Sequence, residues 1–110
     1  MTAQAQGERY QVRADMLRAL ANPARLQLLN LLVRCPACVY ELVTLTGYRQ
    51  PYVSQQLAVL RRAGLVLAEQ NRPYVRYHVA CPELPVLLEV ASQLPVPEQF
   101  ASCDEKLADS

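Results

Sequence analysis

The 110-residue sequence contains no tryptophan and only one phenylalanine, although 52% of its residues are hydrophobic. Its core must therefore be aliphatic, built mainly from leucine, valine and alanine. No apolar run approaches the roughly 20 residues that a bilayer crossing requires, so no membrane partner is expected. The opening stretch MTAQAQGERYQVRAD lacks the hydrophobic centre of a secretory signal, and a cytoplasmic location is the expectation. Histidine occurs once, as His78. No nucleophilic triad, nucleotide-binding glycine loop or paired-carboxylate site is present, so the chain does not read as an enzyme and no organic cofactor is implied. Internal repeats and domain-dividing linkers are also missing. The length suits one compact domain, taken as residues 1–97, with a polar, acidic tail over 98–110.

The chain does hold four cysteines. In a reducing compartment these favour metal or thiol chemistry over structural disulfides. Charge is unevenly spread behind a net value of +1. Arg49, Arg61, Arg62, Arg72 and Arg76 lie between positions 49 and 78 with Glu69 as the only acid. From Glu83 onward the acids Glu83, Glu89, Glu98, Asp104, Glu105 and Asp109 face only Lys106. A local basic stretch can hold a polyanion even when the whole protein is nearly neutral, although charge alone equally describes a solvated face.

Apolar spacing predicts a helix over about Glu8–Leu20, with Tyr10, Val12, Met16, Leu17 and Leu20 as its apolar positions. In ANPARLQLLNLLVRC, Asn22 can cap and Pro23 fits the first turn, where a missing N–H costs nothing. Pro36 stops that helix. CVYELVTLTG reads as a short helix offering Val39, Leu42, Val43 and Leu45 to the core, with Gly47 as its C-terminal cap. RQPYVSQQLAVLRRAGL follows, with Val53, Leu57 and Leu60 as a narrow apolar stripe and hydrogen-bonding side chains outside. Two helices joined by a short glycine-containing turn make a helix-turn-helix. The period then changes to alternation, which predicts a β-hairpin with Asn71-Arg72-Pro73 near its tip. A last helix over about Pro82–Leu94 carries Leu84, Leu87, Leu88, Ala91 and Leu94. The expected fold is mainly α with a β-hairpin wing, a winged helix-turn-helix that dimerises through its first and last helices.

The composite LANPARLQLLNLL, CVYELV and QPYVSQQLAVLRRAGLV resembles the ArsR/SmtB family of winged-helix repressors, from about Met16 to Val79. The resemblance implies a homodimer that binds double-stranded operator DNA and releases it when an inducer arrives. It places Gln50, Tyr52, Ser54 and Gln55 at the major groove, where glutamine can read adenine bidentately. Arg72 and Arg76 on the wing, with Arg49 at the start of the reading helix, would meet phosphate or the minor groove. A winged helix that binds only protein is the alternative from another class, and salt-dependent DNA binding separates the two.

The family's third-helix metal box reads Cys-Val-Cys-Asp-Leu, whereas this chain has Cys38-Val39-Tyr40-Glu41-Leu42. Cys35 stands three residues earlier, so the pair forms a Cys-x-x-Cys with proline inside. The other familiar site, a set of Asp and His on the last helix, is missing. Two thiolates do not complete a site, because zinc takes four ligands and arsenic(III) or lead three thiolates. Cys103 in the tail is the expected third ligand, and Cys81 beside Pro82 is a further candidate thiol. Three readings follow: a thiophilic ion (zinc, cadmium, lead or arsenic(III)) as inducer, thiol oxidation or sulfane-sulfur uptake, or ordinary structural thiols.

Overall fold

The computed structural model describes residues 3–97. Five helices and one hairpin follow in order: α1 (Ala3–Leu20), α2 (Pro23–Arg34), α3 (Val39–Thr46), α4 (Gln50–Arg62), β1 (Val66–Asn71), β2 (Tyr74–Val79) and α5 (Glu83–Ser92). This is the expected winged helix-turn-helix. Cys103 and the proposed tail lie outside the described residues.

Helix boundaries follow local chemistry. The Asn22 side chain accepts the Arg25 N–H at 3.1 Å, and Pro23 opens α2. At the other end Cys35 turns extended (φ −162°) and donates its N–H to the Leu31 carbonyl at 3.2 Å. Gly47 closes α3 in the left-handed region (φ 77°), where a Cβ would be strained. Gly64 does the same after α4 (φ 80°), and the Leu65 N–H reaches back to the Leu60 carbonyl at 2.9 Å.

The core is aliphatic, as composition requires. Leu28 and Leu29 of α2, Leu42 of α3, Val53, Leu57 and Leu60 of α4, and Val66 of β1 are fully buried. Leu84 and Leu88 of α5 close it from the far side. Three expectations need correction. The first helix begins at Ala3 rather than Glu8, since its polar opening turns contain no helix breaker beyond Gly7. Leu45 points away from the core and is 64% exposed, because the one short helix buries only Leu42 fully. The last helix ends at Ser92, and its Leu87 and the following Leu94 remain exposed with Val86 and Val90.

The wing is a two-stranded antiparallel sheet in which Val66 faces Val79 and Asn71 faces Tyr74. Arg72 and Pro73 form the two-residue connection, at the predicted tip. The Ala80 N–H donates to the Leu65 carbonyl at 3.0 Å and ties the base of the hairpin to the end of α4. One pairing was not foreseen. Ala37, between the two cysteines, bridges to Tyr77 of β2 with both backbone bonds made, at 3.0 and 2.8 Å.

Candidate nucleic-acid interface and thiol loop

Burial divides α4 into two faces. Val53, Leu57 and Leu60 are fully buried, while Gln50, Tyr52, Ser54 and Gln55 are exposed on the outside. The helix therefore offers amide, phenol and hydroxyl groups from a rigid support. Arg49 precedes it as an exposed residue whose carbonyl accepts the Val53 N–H at 3.1 Å; its side chain makes no cap. Tyr52 is steadied by Tyr48, whose ring meets it edge-on with centroids 5.3 Å apart. Tyr48 is itself anchored to α2, donating its hydroxyl to Gln27 at 2.9 Å. This Gln27–Tyr48–Tyr52 chain escaped the sequence reading, because nothing in local spacing joins positions 27 and 48.

Arg72 stands exposed at the wing tip. Arg76 is exposed in mid-strand and faces Glu69 across the hairpin. It is also near enough to the Glu41 carboxylate to favour that group's charged form. His78 turns partly inward: its Nδ1 lies 3.3 Å from the Val79 carbonyl and its Nε2 3.9 Å from Glu69. The wing arginines thus lie on elements next to α4, with Arg76 set opposite Glu69 in the hairpin and within electrostatic reach of Glu41.

The two cysteines of the pair frame a turn between helices. Cys35 is exposed at the C-cap of α2, and Cys38 is half-buried at the N-cap of α3; both are free thiols. The Cys38 N–H donates to Glu41 Oε1 at 3.1 Å, closing a capping arrangement at the start of α3. That bond, reinforced by the Cys38 thiol and then by Arg76, holds the Glu41 carboxyl below the usual glutamate range. A lowered folded-state value means the contribution is complete above the ordinary glutamate range and lost as pH falls through the lower folded value. Glu41→Ala is accordingly expected to destabilise the protein most at neutral pH. Denaturant curves of the two proteins should converge in acid, and a gap that persists there would show the cap is not electrostatic.

Cys81 belongs elsewhere. It lines an apolar cavity of about 450 Å³ between α1 and α5, together with Met16, Leu17, Leu20, Leu84 and Leu87. Among the described residues no group of three or more His, Cys, Asp or Glu side chains is placed to hold a metal ion. Among the described residues of one chain, Cys35 and Cys38 therefore supply two donors at most, short of a complete metal site. Also among the described residues, no helix is long and apolar enough to cross a membrane.

Known proteins share this fold. The bacterial regulatory protein arsR family matches residues 22–67, which span α2, the helix-turn-helix and the first residues of the wing. The uncharacterized HTH-type transcriptional regulator Rv0081 of Mycobacterium tuberculosis is 40% identical over 86 residues, covering 77% of this chain and 75% of that protein. Its crystal structure superimposes with a TM-score of 0.70 over 91% of this chain and 93% of that one, at 36% identity. The biofilm growth-associated repressor of Xylella fastidiosa is 37% identical over 79 residues, covering 72% of this chain and 69% of the repressor. The homodimeric winged helix-turn-helix DNA-binding domain Mb0332 of Mycobacterium bovis, a possible ArsR-family regulator, gives a TM-score of 0.77 at 27% identity, over 84% of this chain and 85% of that one. With the exposed polar face of α4, the basic wing and these relatives together, the chain belongs to the arsR family of DNA-binding transcriptional regulators.

Proposed function

We propose that the protein is a homodimeric repressor that reads a two-fold operator with α4 and the wing, and that it releases the DNA when Cys35 and Cys38 take up a thiophilic ligand. The observation that carries the DNA reading is the division of α4. A helix buried along Val53, Leu57 and Leu60 presents Gln50, Tyr52, Ser54 and Gln55 outward, flanked by Arg49 and the wing arginines Arg72 and Arg76. Glutamine can pair with an adenine edge, whereas the arginines supply sequence-independent phosphate contacts.

Dimerisation is supported by the apolar side chains left open on α1 and beyond: Tyr10, Val12 and Leu17 on one helix, Leu87 and Val90 on α5. Two-fold pairing through these helices would place two reading helices on successive turns of the duplex. For the inducer, the free thiols of Cys35 and Cys38 at adjoining helix ends offer two soft donors, with Cys103 as the third. Lead and arsenic(III) suit three thiolates, whereas zinc or cadmium at the same set would need a further ligand. The second reading, oxidation or sulfane-sulfur uptake at the same thiols, is favoured by the exposure of Cys35.

Fluorescence anisotropy with duplex from the region upstream of the gene tests the DNA reading. Affinity should fall steeply with salt, and Arg72→Ala should flatten the slope of log K against log salt by about one. Salt-insensitive or undetectable binding would sink it. The paired change Cys35→Ser, Cys38→Ser should leave DNA affinity intact and remove the response to cadmium or mild oxidant, a response expected at about 5–150-fold. A full response in that variant would discard the pair as sensor.

A further inference from the structure

The cleft between α4 and β2 is lined by Ser54, Ala58, Arg61, Arg62 and Tyr77. Its lining residues carry two guanidinium groups and two hydroxyls beside a small alanine, and none of them is acidic. Such a set suits an anion with several acceptor oxygens. Ser54 also belongs to the outward face of α4, so the cleft continues the DNA-reading surface toward the wing. Tyr77 is the lining residue from β2, and its backbone is the one paired at both N–H and C=O with Ala37. Ala37 is 5% exposed and has Pro36 on one side and Cys38 on the other. The thiol loop therefore carries the strand that forms one side of the cleft.

We propose that this cleft seats a backbone phosphate of the DNA duplex, held by Arg61, Arg62 and the Tyr77 hydroxyl, and that the Cys35–Cys38 loop controls the seat through the Ala37–Tyr77 pairing. The inference rests on the DNA reading above and supplies its control with a route inside one subunit. An occupant drawing Cys35 and Cys38 together would act on Pro36 and Ala37, the two residues between them. Cys38 also starts α3, where its N–H is bonded to Glu41, and Glu41 feels Arg76, the neighbour of Tyr77. A change at the thiols thus reaches β2 by two contacts, through Ala37 and through Glu41.

Two arms test the proposal on the full-length protein. In the first, anisotropy across salt compares the parent with Arg61→Ala and Tyr77→Phe. Arg61→Ala should weaken binding about tenfold and flatten the salt slope by about one, and Tyr77→Phe should weaken it about threefold to tenfold. An unchanged slope for Arg61→Ala overturns the phosphate seat. In the second, amide exchange at Ala37 and Tyr77 is followed by NMR in a Cys81→Ser, Cys103→Ser background. Cys35 and Cys38 are carboxamidomethylated there with iodoacetamide, and cadmium ion is added in a separate Cys81→Ser background that keeps Cys103. Alkylation should speed both amides at least tenfold and weaken DNA binding. Amides that stay protected, or that are freed with affinity unchanged, overturn the coupling. Cadmium that weakens binding while both amides stay protected also overturns it, yet leaves thiol sensing standing. Cadmium without effect where alkylation acts supports the coupling and removes the metal reading instead.

Discussion

Leu87→Asp is expected to convert the protein to a monomer and to weaken operator binding at least a hundredfold. Leu87 is 42% exposed on α5 and lines the apolar cavity shared with Met16, Leu17 and Leu20 of α1. In a two-fold dimer through α1 and α5 this side chain is buried against the partner. An unpaired carboxylate there costs several kcal/mol, more than a small interface can absorb. Core packing of each subunit is spared, since Leu84 and Leu88 rather than Leu87 face inward. The loss in DNA affinity is large because tethering two reading helices multiplies affinity by about 10²–10⁴ without any new contact. Sedimentation equilibrium and anisotropy on the same samples check both parts. A variant that remains dimeric with parental affinity would remove α5 from the interface.

The second large effect is on folding. Leu57→Ala is expected to destabilise the domain by about 2–5 kcal/mol, the usual cost of truncating a buried leucine to alanine. Leu57 is fully buried in the same cluster as Leu28, Leu32, Leu42 and Val66, so it joins the reading helix to α2, α3 and the wing at once. Against a total stability of about 5–15 kcal/mol, that loss is a large fraction. The melting temperature should fall by roughly 4–8 °C for each kcal/mol. DNA affinity measured well below the melting point should change far less, because Leu57 lies on the buried face of α4. A loss under about 1 kcal/mol would mean the site collapses around alanine and the core is looser than its burial implies.

These two leucines also mark where sequence was informative. Leu57 was legible because Val53, Leu57 and Leu60 repeat at helical spacing along one face of α4. Caps at Asn22, Pro23 and Gly47 were legible for the same local reason, and so was the alternation that gives the wing. Leu87 was ambiguous. Periodicity gathers it with Leu84 and Leu88, but only tertiary packing decides which of them meets the core and which is left for a partner. Tyr10, Val12 and Leu17 follow the same rule: they are apolar in pattern yet 68%, 58% and 53% exposed. The site was readable in its parts but not in its wiring. Cys35 and Cys38 stand out by spacing, whereas the contacts of Ala37 with Tyr77 and of Tyr48 with Gln27 join distant positions. A single-residue bridge leaves no periodic trace, so nothing in the chain announces it.

The rooting of the wing has a mechanical consequence. Leu65 and Val66 are buried at the base of the hairpin, while Asn71 to Tyr74 at the far end are exposed. The strands are six residues each, which makes a lever about 20 Å long with its pivot in the core. A tilt of about 10° at the pivot sweeps Arg72 through about 3 Å, as far as a whole hydrogen bond is long. Small repacking beneath Val66 would therefore shift the tip charge by a distance that decides whether it reaches a phosphate.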